Sequence, residues 1–305
     1  MKVQIIIPIY RPDDKFLCLL RMIKKQSLFD LPVLLIDSGQ GVPYTDEIKG
    51  MNIQVRTIDS RDFNHGGTRQ WGMELCPEAD IYVFLTQDAI LADERSIENL
   101  VATFSDDRVG CAYGRQLPHR NAGAFGTIAR TFNYSPQSHM YGFEDRKRYG
   151  IKTAFISNSF AAYRRKAMQQ IQGFPQNTIL SEDMYVAAKM LISGWKVAYV
   201  ANAIVYHSHD YTILQEFKRY FDIGVFHVRE SWIQAEFGKA EGEGKRFVMT
   251  EFRYILKHCP YRIFEMVLRD GMKYIGYRLG LSERTLGPTL CKRLSMSPRY
   301  WRNQE

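Results

Sequence analysis

The chain reads as an α/β protein, with a mostly parallel sheet flanked by helices and followed by a basic helical extension. Three observations predict this. Short apolar runs alternate with helical patterns of similar or greater length, as βαβ units require. Two of those runs, Val33-Leu34-Leu35-Ile36 and Ile81-Tyr82-Val83-Phe84-Leu85, lead straight into the carboxylates Asp37 and Asp88. Carboxylates at the C-terminal ends of parallel strands lie in the crevice where open α/β sheets bind ligands. Finally, 305 residues with 45% hydrophobic content suffice for one full core plus an appendage.

In chain order, strands are expected near 3–9, 32–37, 53–58, 81–85, 109–113, 154–162 and 196–206. Helices are expected near 13–27, 66–75, 93–104, 164–171, 182–193 and 212–235. Residues 116–150, rich in Gly, Asn, Arg and Tyr and weakly periodic, read as a long functional loop. Gly and charge density around Gly238–Lys245 marks a hinge. It divides a catalytic domain, 1–237, from a C-terminal region, 238–305.

The net charge of +8 is concentrated late in the chain: from Phe252 to Glu305 there are eleven Lys or Arg against four Asp or Glu. Apolar residues recur among them at near-helical spacing, from Tyr254 to Leu279. Two readings stand side by side, a basic amphipathic surface resting on anionic lipid headgroups and a helical subdomain with a solvated basic face. No nucleic-acid module is present, and nucleic acid is not an expected partner. No apolar run approaches the roughly 18–20 residues of a spanning helix, and the N-terminus lacks the pattern of a signal peptide. The expected location is the cytoplasm, peripheral to the inner face of the cell membrane. Five scattered cysteines lack metal-ligand spacing and read as reduced thiols.

Three constellations carry chemistry. Asp88, after its apolar strand, can hold a divalent cation that bridges two phosphates, although an Asp in a turn is often only a cap. Tyr206-His207-Ser208-His209-Asp210 follows another strand and adds imidazoles as further ligands or diphosphate donors. Alternating strand residues also share a face for packing reasons alone. Glu182 and Asp183 open an amphipathic helix. The macrodipole favours acids there, yet a helix start facing a cleft can also place a general base. In Asp62-Phe63-Asn64-His65-Gly66-Gly67-Thr68-Arg69, glycines allow close backbone approach, free N–H groups await an anion and Arg69 offers a fork suited to phosphate. A plain turn into a helix needs less.

These segments together resemble family 2 glycosyltransferases of the GT-A (Rossmann-like) fold. They are Ile-Ile-Ile-Pro-Ile-Tyr-Arg at 5–11, Ile36-Asp37-Ser38-Gly39, Phe63 to Arg69, Leu85-Thr86-Gln87-Asp88-Ala89, Ser181-Glu182-Asp183 and Val205 to His209. More narrowly, the chain is similar to bacterial rhamnosyltransferases of cell-surface polysaccharide synthesis, over roughly residues 3–230 and again in the tail. The resemblance implies that Pro8, Tyr10 and Arg11 line the nucleotide pocket and that Asp37, with Ser38, meets the base or ribose. Asn64, His65, Gly66, Gly67, Arg69 and Gln87 would border the donor, with Arg115, Gln116 and Arg130 as further sugar or diphosphate contacts. Asp88, with His207 or His209, would hold Mg²⁺ or Mn²⁺, and Asp183, with Glu182 beside it, would be the catalytic base.

It further implies an inverting, metal-dependent transfer of L-rhamnose from dTDP-β-L-rhamnose to a hydroxyl of a glycan on a polyprenyl diphosphate, for an O-antigen, a capsule or a wall rhamnan. Two departures matter. Thr86 replaces the first acid of the family's Asp-x-Asp motif. The Gln-x-x-Arg-Trp signature of processive synthases is missing, since residues 215–220 read Gln-Glu-Phe-Lys-Arg-Tyr, which argues for single transfers. The rival readings are a transferase of the same fold using a UDP-hexose, and a catalytically silent membrane-associated scaffold, which Thr86 favours.

Overall fold

The computed structural model of the chain describes residues 1–39 and 48–304. Among them, β1 (Val3–Ile9), β2 (Val33–Asp37), β3 (Ile53–Thr57), β4 (Ile81–Leu85), β5 (Ile90–Leu91), β6 (Val109–Leu117), β7 (His139–Tyr141), β8 (Phe160–Arg164) and β9 (Lys196–Tyr206) form one sheet. Its order is β3-β2-β1-β4-β8-β6-β9-β5, with β7 also paired to β9. The pairs β3–β2, β2–β1, β1–β4 and β6–β9 are parallel. β8 enters antiparallel between β4 and β6, and β5 and β7 run antiparallel to β9.

The central strands are apolar throughout because both of their faces are buried. Ile6, Leu34, Ile36 and Phe84 point into one core, while Ile5, Ile7, Leu35 and Val83 point into the other. This is the two-residue alternation of a pleated strand.

The helices are α1 (Asp14–Lys24), α2 (His65–Glu74), α3 (Ser96–Ala102), α4 (Ala124–Asn133), α5 (Arg146–Tyr149), α6 (Arg165–Gln170), α7 (Glu182–Ile192), α8 (Ile213–Arg229), α9 (Ser231–Phe237), α10 (Glu241–His258), α11 (Ile263–Leu281), α12 (Glu283–Leu286) and α13 (Pro288–Leu294). Several departures from the sequence expectations have physical reasons. The loop expected over 116–150 contains α4, whose N-terminal Gly123 N–H is capped by the distant Asp210 carboxylate at 3.0 and 3.1 Å. Phe125 and Ile128 of that helix are buried. The strand expected at 154–162 begins only at Phe160, because residues 150–154 form a 3₁₀ turn. The helix expected over 212–235 breaks at Glu230. Gly238, at φ 90°, ends α9, and Gly242 and Gly244 lie inside α10.

The C-terminal region packs back on the sheet domain. α8 and α11 cross where glycines let backbones touch. A Cβ on Gly280 would collide with the carbonyl oxygen of Phe221, and one on Gly276 with that of Phe217. Beyond α11, Arg229 pairs with Glu283 at 3.1 Å and donates to the Tyr300 hydroxyl at 2.6 Å. Trp301 is buried in the same core as Phe221 and Phe226.

That crossing predicts a contrast within one helix. Gly280→Ala is expected to destabilise by about 1–3 kcal/mol, the usual cost of forcing atoms into a packed contact. At Gly271 a Cβ meets nothing within 4 Å, so Gly271→Ala is expected to gain roughly 0.5–1 kcal/mol from helix propensity. Thermal unfolding of the two variants checks this, and Tm shifts of the same sign refute the close-contact account.

Candidate active site

A cavity of about 890 Å³ opens at the C-terminal ends of β4, β6 and β9, lined by Asp88, Asp183, His207 and His209 among others. Its first cluster is made by two strand ends. Asp88 follows β4, and His207 and His209 follow β9. The His207 Nε2 lies 3.4 Å and the His209 Nδ1 3.8 Å from Asp88 Oδ2. All three ligand atoms fall within 4.8 Å of one another.

The chemistry of this set fits a divalent cation. His207 Nδ1 faces the Gln116 Oε1 at 2.8 Å, and Gln116 is held in turn by its amide donating to Ser157 Oγ at 2.9 Å. A proton on Nδ1 leaves the Nε2 lone pair directed at the cluster, the orienting arrangement typical of ligating histidines. That Nε2 is buried and has no hydrogen-bond partner. Burial keeps His207 and His209 below the ordinary imidazole range, His209 at about 4, which is the neutral, ligating form. Burial also pushes Asp88 up, but the facing rings of His207 and His209 and the neighbouring Thr86 hydroxyl outweigh it and hold the carboxyl well below its usual range.

The second cluster surrounds the start of α7. Ser181 sits in the left-handed region at φ 57°, ψ 33°, a strained position for a residue with a side chain. From there Glu182 turns inward and Asp183 faces the cavity. Asp183 accepts backbone N–H bonds from Asn158 at 3.0 Å and Met184 at 2.8 Å. Burial, then the adjacent Glu182 charge, raise Asp183 to about 6 against those two bonds. Glu182 is 5% exposed. It pairs with Arg69 at 2.9 Å and accepts from Asn158 Nδ2 at 2.8 Å; Tyr163 completes the chain by donating to Asn158 Oδ1 at 2.7 Å. Burial pushes Glu182 up, but Arg69 and His65 overcome it and lower its pKa.

Several residues expected at the donor have other partners. Arg69 is buried against Glu182 and its Nη1 donates to the His65 carbonyl at 2.9 Å. Asn64 caps α2 by accepting from Gly67 N–H at 2.6 Å. Gly66 is required because a Cβ there would collide with the Pro175 carbonyl oxygen, and Gly67 lies against Asn64. His65 does line the cavity. Arg115 lies beside Tyr199 and is not among the described cavity-lining residues. The Gln87 side-chain amide accepts from the Tyr10 backbone N–H at 2.7 Å and donates to the Tyr10 carbonyl at 3.2 Å, and so joins the β4 turn to the β1 end.

That β1–β2 ledge brings the remaining residues together. Pro8 is in register with Ile36 and Ile9 with Asp37. Ser38 donates to the Ile9 carbonyl at 3.1 Å, and the buried Asp37 accepts from Gly39 N–H at 2.6 Å. Tyr10 is exposed, with the Arg11 guanidinium 5.3 Å from its ring centre. Arg130 and Arg219 also line the cavity. Arg219 and Asn158 carried no signal in the sequence beyond an Arg-Tyr pair and an Asn before an apolar strand.

A sheet of this order, flanked by helices, has the architecture of the GT-A glycosyltransferases. The solved structure of the mannosyltransferase PcManGT from Pyrobaculum calidifontis shares it, at a TM-score of 0.59 and 14% identity over 98% of this chain and 84% of that one. So does S. aureus TarS 1-349 with UDP-GlcNAc, at 0.53 and 13%, over 93% and 92%. Residues 83–234 match the model of the glycosyl transferase family group 2. The O-antigen chain rhamnosyltransferase RfbN of Salmonella typhimurium is 47% identical over 99% of this chain and 97% of its own length. WbaN of Salmonella anatum, of the same description, is 43% identical over 92% and 89%. The chain belongs to the family 2 glycosyltransferases and is a glycosyl-transferring enzyme.

Proposed function

We propose that the protein moves L-rhamnose from dTDP-β-L-rhamnose, with inversion, to a hydroxyl of a lipid-linked glycan during O-antigen synthesis. The observation that carries this reading is near-end-to-end similarity to two O-antigen chain rhamnosyltransferases, in a chain whose cavity holds the Asp88-His207-His209 cluster and Asp183 together. The β1–β2 ledge, with Tyr10, Arg11, Asp37 and Ser38, takes the nucleoside. Asp88, His207 and His209 would hold a divalent cation, which when bound would supply Lewis-acid neutralisation of charge on the departing diphosphate. Two imidazoles in the set favour Mn²⁺ over Mg²⁺. Asp183 takes the proton of the acceptor hydroxyl while its oxygen bonds the anomeric carbon from the face opposite the diphosphate. The bond from that carbon to the diphosphate oxygen breaks, and dTDP leaves. One displacement needs a single base and inverts the centre, giving an α-L-rhamnoside. Glu182, neutralised by Arg69, orients that base.

The membrane part of the reading rests on α10, α11 and the turn between them. Met249, Phe252 and Leu256 of α10 and Phe264, Val267, Leu268 and Ile275 of α11 are exposed, with Tyr261 83% and Phe264 88% accessible. Exposed Arg253, Lys257 and Arg278 border them. An apolar face edged by cations suits an anionic lipid surface. No helix among the described residues is long and apolar enough to cross a membrane, so the contact is peripheral. The protein then works on the inner face of the cell membrane, where nucleotide sugars are available.

Three experiments test the reading. Binding of dTDP-L-rhamnose, UDP-glucose, UDP-galactose and GDP-mannose, each with Mn²⁺ and with chelator, is expected to select dTDP-L-rhamnose, with Mn²⁺ strengthening it and His209→Ala removing the Mn²⁺ effect. Preference for a UDP-sugar overturns the donor, and no binding at all overturns the transferase reading in favour of a silent scaffold.

Asp183→Asn is expected to lower kcat by about 10²–10⁴, the usual worth of a general base. In the wild type, kcat/KM should rise with pH through about 6 and then level, because the base acts only when deprotonated. A flat profile from pH 5 to 8 removes Asp183 from that role.

Flotation with vesicles containing phosphatidylglycerol, across a salt series, is expected to retain the protein at low salt. Tyr261→Ser with Phe264→Ser should weaken retention by about tenfold or more, given roughly 1.5–3 kcal/mol for each buried aromatic side chain. Point changes are preferred to deleting residues 252–305, which would remove Trp301 from the core. Retention equal to wild type in the double variant overturns the membrane face.

A further inference from the structure

The cavity does not stop at the two clusters. It runs on between α4 and α8 and ends against α10 and α11, where Phe247, Glu251, Arg269 and Lys273 line it. At about 890 Å³ it lies at the upper end of the roughly 300–1,000 Å³ typical of small-molecule sites, more than one sugar ring requires. None of Pro8, Tyr10, Arg11, Asp37 and Ser38 is among its described lining residues, so the nucleoside ledge lies outside it and the inner end is free for another part of the reaction.

The chemistry of that end is specific. Arg269 is matched by Glu216 at 2.9 Å and Glu265 at 2.9 Å, and Lys273 by Asp270 at 3.1 Å. Glu251 is left over. It is fully buried, its nearest cation is Lys273 at 3.7 Å, and neither carboxyl oxygen has a hydrogen-bond partner. Burial raises its pKa to about 8, with Lys273 opposing and the neighbouring Asp270 and Glu216 carboxyls adding. The resulting neutral carboxyl offers one hydroxyl donor and one carbonyl acceptor, and both lack partners. A buried polar group without partners is costly, and one that lines a cavity is explained by a ligand that supplies them. Beside it, the half-buried Phe247 contributes an aromatic ring.

The geometry points to this inner end as the subsite for a neutral pyranose of the acceptor glycan, with hydroxyls bonded to Glu251 and Glu216 and one sugar face against Phe247. The inference rests on the reading of the protein as a transferase to a glycan. A ring with hydroxyls on its rim and C–H bonds on its faces suits carboxyls at the edge and an aromatic surface at the side. α10 and α11 would then carry two roles, with Glu251 and Lys273 facing the acceptor's sugar and Phe252, Leu256 and Phe264 exposed on the outside.

The test is saturation-transfer NMR on the full chain, using methyl α- and β-pyranosides of galactose, glucose, mannose and N-acetylglucosamine as probes, with dTDP-L-rhamnose affinity measured in parallel. Wild type is expected to bind at least one probe. Glu251→Leu is expected to weaken that binding by about ten- to a hundredfold, what loss of one or two such bonds is worth, with nucleotide-sugar affinity within about twofold. Its Tm should be equal or higher, because replacing an unmatched buried polar group by an apolar isostere relieves the fold. Phe247→Leu, which keeps the apolar volume, should also weaken the probe.

Unchanged probe binding in both variants overturns the subsite, as does a wild type that binds nucleotide sugar but no probe; either outcome leaves the transferase reading intact. A wild type that binds a probe lost in Glu251→Leu, yet binds no nucleotide sugar, sustains a saccharide site and overturns the transferase reading instead.

Discussion

The active-site face is organised by the buried pair Arg69–Glu182. A buried ion pair is a poor source of stability, since desolvation consumes most of the Coulombic gain, so its presence calls for another account. Here it links three separate pieces of chain: α2 through Arg69, α7 through Glu182 and the segment before β8 through Asn158. Asn158 then gives its backbone N–H to Asp183. The charge that Arg69 neutralises is the one adjacent to Asp183, and removing the guanidinium would leave two carboxylates in one buried site. With Asp183 as the proposed base, Arg69 would act on the chemistry through Glu182, as a positioning residue, and the strained Ser181 is tolerated because this network over-determines its backbone.

A second constraint is the glycine crossing of α8 on α11. α8 carries Glu216, Arg219 and Tyr220 into the cavity, so the helix that supplies part of the site is also the one against which the C-terminal region is packed. The close approach through Gly224, Gly276 and Gly280 sets how far α11 stands from the cavity. It also fixes where its outer apolar residues face. Catalytic cavity and apolar surface are thereby parts of one rigid arrangement of helices, and a lipid-borne substrate would need no separate domain to bring it in.

Much of the fold was legible because its signals are local. β1, β2 and β4 are short apolar runs with distinct ends, and two of them lead into the carboxylates Asp37 and Asp88. Asp88, His207 and His209 were legible as candidates because each follows a strand end, and Asp183 because it stands in the first turn of a helix. What the sequence could not display is direction. Arg69 looks like an anion fork until α7 brings Glu182 to it, and Gln116 looks like a sugar contact until β9 brings His207 within 2.8 Å. α4 hid in a weakly periodic segment because its cap, Asp210, lies 87 residues away. Glu251 hid for the opposite reason: an acid in a basic amphipathic stretch reads as solvated, and only the packing of α8, α10 and α11 shows it buried.

The cluster at Asp88 also gives the loss of an acid at Thr86 a physical meaning. Two carboxylates would cancel the charge of a divalent cation, whereas one carboxylate and two neutral imidazoles leave the site net positive. Arg130 and Arg219, which also line the cavity, add to that sign. With the proposed cation bound, such a site would hold the free ion less firmly than a paired-acid site yet present more uncompensated positive charge to a diphosphate, so metal and nucleotide would assist one another in binding. In a cavity of low effective dielectric that residual charge would be felt most strongly by the group gaining negative charge, in the proposed mechanism the departing diphosphate. In the proposed mechanism Thr86 would shift the site's preference from the free ion toward the ion with its nucleotide, which is compatible with a working enzyme.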